Sequence, residues 1–119
     1  MEESILISIK KLLGLDENYE AFDTDIIVAI NTALMILVQI GIGPSKGFRI
    51  EDDMATWGDF LGKDAIDLEA AKSYVFLKTR LMFDTPSSSV VVQEYNKAAA
   101  ECEWRLNVQR DHGEGGDIV

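Results

Sequence analysis

Cysteine, histidine and proline are nearly absent. Cys102 is the only cysteine and His112 the only histidine, and just two prolines occur in 119 residues. One cysteine allows no internal disulfide and no cysteine metal cluster, and suits a reducing compartment. One histidine, set in a Gly-rich tail, leaves nothing to build a zinc site or a Ser-His or Cys-His dyad. Positive charge is also scarce: 11 Lys and Arg face 21 Asp and Glu, a net charge of −10. A chain this acidic does not grip phosphate backbones by counterion release. It can line a passage through which nucleic acid slides without sticking, or simply stay soluble.

The acids are unevenly spread. Residues 1–69 hold 14 acids and 5 bases, residues 70–110 hold 4 and 6, and residues 111–119 hold 3 and none. No signal peptide is expected in "MEESILISIKKLLG", where the acids precede the apolar residues and the lysines follow them. The longest apolar run, Ile26–Ile42, is interrupted by Asn31, Thr32, Gln39 and Gly41 and has no basic flank. It reads as a buried helix of a soluble protein, not a membrane span.

What the chain does have is helical periodicity. Ile5, Ile9, Leu12 and Leu13 make the stripe of a short helix over about 3–13. A second helix, about 24–40, is expected to start at a cap on Asp23 or Thr24. It is apolar nearly all round, so it needs cover on several sides. "GIGPSKG" ends it, and "FRIE" can be one arm of a small hairpin. Thr56 can cap a short helix from Trp57 to Leu61. A helix over about 66–83 follows, then "DTPSSS", then a last helix over about 88–109 with the stripe Val92, Tyr95, Ala99, Cys102 and Leu106. The fold class is all-α: a small bundle of about four helices, with a loop or short hairpin between helices two and three. Residues 1–110 form the domain, and residues 111–119 a flexible acidic tail.

No catalytic, cofactor or metal residue emerges. The triplet Glu51, Asp52, Asp53 runs straight into Met54, Ala55 and Thr56, without the alternating oxygens and glycine of a calcium loop. It reads as loop punctuation. Cys102 falls on an apolar stripe, as a small hydrophobe would. Trp57 and Phe60, at i and i+3, either close the core beneath the loop or form a contact surface. Trp104 lies about 200° from Cys102, on the charged face of the last helix. It is covered by the first helix or the tail, or it anchors a partner.

Three stretches carry a family resemblance: "INTALMILVQIGIGPSKGFRIEDDMATWGDFLG", "AKSYVFLKTRLMFDTPSSSVV" and "EWRLNVQ", in that order. Over about residues 5–110 the chain resembles the small helical head–tail connector (adaptor) proteins of long-tailed bacteriophages and prophages. The resemblance implies a non-enzymatic virion protein without cofactors, assembled in the host cytoplasm and placed in the neck. It implies a ring of self-associated subunits, commonly dodecameric, below the portal protein. Such a ring extends the DNA channel without binding DNA specifically and docks the stopper or tail completion protein. It puts Trp104, Arg105, Asn107 and the 111–119 tail near the portal contact, with Trp57 and Phe60 as candidates for a contact between subunits. The rival reading is a small acidic helical protein-binding adaptor or regulator unrelated to virions.

Overall fold

The computed structural model describes residues 2–62 and 68–118, with side chains through residue 108. Among these residues it contains five helices and no strand: α1 (Ile5–Leu12), α2 (Asp23–Gln39), α3 (Trp57–Leu61), α4 (Leu68–Phe83) and α5 (Ser89–Ile118). The all-α bundle read from periodicity is therefore found, with the expected short helix from Trp57 to Leu61 as α3. α4 packs along both α2 and α5, and α1 closes against α4 and α2. Of the two forms expected between α2 and the next helix, the loop is found and the hairpin is not. Phe48–Ile50 joins no strand, and the one pairing among the described residues is a single antiparallel bridge between Ser4 and Thr56.

Ser4 caps α1, its Oγ accepting from the Ile7 amide at 3.2 Å. The helix buries Ile5, Leu6 and Ile9, but also Ser8 and Lys10. Lys10 is almost fully enclosed. Its ammonium meets Asp23 Oδ1 at 2.9 Å and donates to the Glu17 carbonyl at 3.0 Å. This corrects the expected start of α2: neither Asp23 nor Thr24 caps it. The helix begins after Phe22 with no side-chain cap, because the Asp23 carboxylate is taken by Lys10.

α2 buries Ile26, Ala29, Ile30, Ala33, Leu34 and Leu37. Each large aliphatic among them contributes about 1.5–3 kcal/mol on leaving water. Its outer side is not covered by the chain: Val28 is 62% exposed and Met35 52%. α3 has the expected Thr56 start, completed as a capping box in which Thr56 Oγ1 accepts from the Asp59 amide and Asp59 accepts from the Thr56 amide. The expected start of the next helix near residue 66 falls outside the described residues.

α5 carries on past residue 109, where the apolar pattern stops, and its backbone is helical as far as Ile118. Lengthening a formed helix orders only one residue per hydrogen bond, so loss of the stripe need not end it. The tail expected over 111–119 lies beyond the described side chains.

Candidate partner-docking surface

α5 turns its stripe toward α4. Ala99 and Leu106 are buried, and Val92, Tyr95 and Cys102 are half-buried. Consecutive residues step about 100° around a helix, so Trp104, two places from both Cys102 and Leu106, points to the opposite side. It is 65% exposed. Arg105 and Asn107 are exposed beside it. Arg105 is held by Glu101, Nη2 to Oε1 at 2.7 Å, one turn back. Lys97, one turn before Glu101, forms no ion pair with it. Arg105 and Glu101 also border a shallow groove of about 470 Å³ between α4 and α5, floored by Ala70, Ser73, Ala98 and Cys102.

Trp57 and Phe60 are not part of this surface. Both are essentially fully buried, which removes them from any contact with another subunit in this conformation. Trp57 Nε1 donates to Ser8 Oγ at 2.8 Å, and Ser8 Oγ donates in turn to the Ile5 carbonyl at 2.9 Å. The backbone binds the same segments: the Ile5 amide donates to the Ala55 carbonyl and the Trp57 amide to the Glu3 carbonyl. The start of α1 and the start of α3 are thus sewn together around one indole. Phe60 packs against Phe48 at a centroid distance of 5.2 Å and lies directly beneath Gly43.

The acidic triplet is an exposed loop. Asp52 Oδ1 accepts from the Met54 amide at 2.9 Å, an Asx turn. No group of three or more His, Cys, Asp and Glu among the described residues is arranged to hold a metal ion. The Cys102 thiol is pushed up by burial and by Glu101, against a smaller opposing pull from Arg105, so it stays protonated and unreactive. Burial, reinforced by Glu103, likewise drives the Tyr74 phenol above its usual range. Both shifts suppress reactivity, the reverse of what a nucleophile or general base requires.

Three contacts were not read from the sequence: Lys10 with Asp23, Ser8 with Trp57, and Asn31 with both backbone groups of Ile50. A signal existed. Ser8, Lys10 and Asn31 interrupt apolar helices, and polar residues there stay buried only with partners.

No helix among the described residues is long and apolar enough to cross a membrane. The family model described as phage connector protein matches residues 5–113. No curated protein and no solved structure matches the chain. With nearly its whole length matched, and a helical bundle that offers an uncovered tryptophan on its last helix, the chain belongs to the phage connector protein family.

Proposed function

We propose that the protein forms a ring beneath the portal of a DNA-filled capsid, dodecameric in the virion, and that this ring extends the DNA channel and docks the stopper or tail completion protein. Membership of the connector family makes the chain a structural component of the virion neck, in contact with other head and tail components. The observation that carries the finer reading is Trp104. It is a large aromatic residue, 65% exposed, on the side of α5 turned away from the bundle. Exposed tryptophans are costly to leave in water and recur as anchors at interfaces. With Arg105 and Asn107 it forms the portal contact on this reading, and the chain that follows them extends the same surface.

The acidic surplus fits the conduit role. Like charge keeps DNA moving, and the exposed Glu51–Asp53 loop is a candidate for the lumen. No step of this role involves catalysis or a cofactor. Subunits assemble in the host cytoplasm and remain in the neck.

The test is a native mass spectrum of the chain alone and co-expressed with the portal protein of the same genome. A ring, or a stoichiometric complex that Trp104→Ala loses without unfolding, is the expected result. A monomer that ignores its portal would sink the proposal. If the Glu51–Asp53 loop lines the channel, lysines at those positions slow DNA ejection. Unchanged ejection kinetics remove the loop from the lumen.

A further inference from the structure

Two apolar hollows lie on either side of the exposed ridge of α2, and the charges around them have opposite sign. The first is at the helix start. Val28 shares it with Met82 and Phe83 of α4, and Asp25 borders it. Phe22 packs edge-on against Phe83 at 5.4 Å, and Tyr19 against Phe22 at 5.7 Å, which extends the patch outward. Tyr19, Phe22, Val28 and Met82 are all exposed. Glu17 and Glu20 stand in the same loop as the two aromatic rings, and neither is in an ion pair among the described residues.

The second hollow is at the helix end. Met35 and Val38 form its wall with Phe48, giving a groove of about 460 Å³ edged by Lys46 and Arg49. Both cations are exposed, and both are without an ion pair among the described residues. In a chain of net charge −10, two free cations beside an apolar wall are a specific feature and not background.

The helix geometry sets the two apart. Val28 and Met35 lie within about 20° of each other on the outward ridge, and the hollows are set apart along it, roughly 10–15 Å from Val28 to Met35 and Val38. The two hollows therefore stand at opposite ends of one exposed ridge. A contact between copies that uses both runs head to tail, the type that closes into rings.

We infer that the acid-rimmed aromatic patch of one subunit (Tyr19, Phe22, Val28, Met82) seats in the base-rimmed groove of the next (Met35, Val38, Phe48, Lys46, Arg49). This rests on the ring reading above and names its subunit contact. The occupant is a second copy because both halves lie on one chain and complement each other in sign. Patch against patch or groove against groove would instead set like charges together, which disfavours those pairings. Exposed apolar patches with polar rims are the surfaces that partners cover. Trp104, on another helix, stays free for the portal.

The experiment is native mass spectrometry of the full chain with its portal protein, comparing wild type, K46E/R49E, and K46E/R49E/E17K/E20K. Circular dichroism confirms that each variant keeps its helices. The expected result is loss of the ring in the first variant and its return in the second. A wild type that assembles while K46E/R49E assembles equally well overturns this contact and leaves the ring standing. Loss without return overturns the pairing of acid with base. A wild type that never associates overturns both the contact and the ring.

Discussion

Asn31 holds both backbone groups of Ile50. Its Oδ1 accepts from the Ile50 amide at 2.7 Å, and its Nδ2 donates to the Ile50 carbonyl at 2.9 Å. A side chain of the most apolar helix thus does for the following loop what a neighbouring strand would do. Ile50 is 1% exposed, so without Asn31 its amide and carbonyl would have neither water nor protein as partner. Leaving such groups unpaired costs about 1–3 kcal/mol each. Asn31→Leu should lower the urea midpoint by an amount equivalent to about 3 kcal/mol, at unchanged slope. A variant as stable as the wild type would show that the loop finds other partners.

The pair Lys10 and Asp23 should respond asymmetrically. Lys10 is 1% exposed, and Asp23 is 25% exposed. Removing the carboxylate leaves an enclosed ammonium with only the Glu17 carbonyl, and a buried charge that loses its partner costs about 3–5 kcal/mol. Replacing the lysine leaves a carboxylate whose Oδ1 is buried but whose side chain is still 25% exposed, so the charge keeps partial access to water. Thermal unfolding should therefore rank Asp23→Ala well below Lys10→Met. The opposite order would mean the ammonium is not the strained partner.

Gly43 and Gly47 separate strain from collision. Both have positive φ, 84° and 102°, where an L side chain is unfavourable by roughly 1–2 kcal/mol. A Cβ at Gly47 meets nothing within 4 Å, whereas one at Gly43 runs into the Phe60 ring. Gly47→Ala should show only the backbone penalty, and Gly43→Ala a larger loss. Gly43→Ala combined with Phe60→Leu should cost less than the two changes summed. Additive losses would mean the ring already has room to move.

Tyr74 should make the fold sensitive to alkali. Its pKa in the folded protein is raised, chiefly by burial and then by Glu103. A raised pKa means the folded state keeps its proton more tightly than the unfolded chain does. That preference adds stability which is fully present below the ordinary phenol value of about 10 and is lost as pH rises above it. Melting temperatures measured from pH 8 to 11 should fall at the alkaline end. The Tyr74→Phe variant should show a shallower decline. Identical curves would show that the phenol is not the group responsible.

The parts of this protein legible in the sequence are those whose cause is local. A 3.6-residue period, a Thr three places before an Asp, and a Trp two places off a stripe depend only on the geometry of one helix. They suffice to locate the helices, the capped start of α3 and the outward aim of Trp104. They also sufficed to see that α2 is apolar nearly all round and needs cover on several sides, from the bundle or from neighbouring subunits.

Which side of α2 stays bare was decided by packing, as was every pairing across the chain. Ser8 meets Trp57 across 49 residues and Asn31 meets Ile50 across 19. Trp57 and Phe60 sit inside because the starts of α1 and α3 close on them, a result that their i, i+3 spacing allowed but did not require. Lys10 takes Asp23 away from capping α2 for the same kind of reason. Periodicity specifies a face, but only the folded neighbours specify what that face meets. On α2 they leave an acid-rimmed hollow and a base-rimmed groove uncovered.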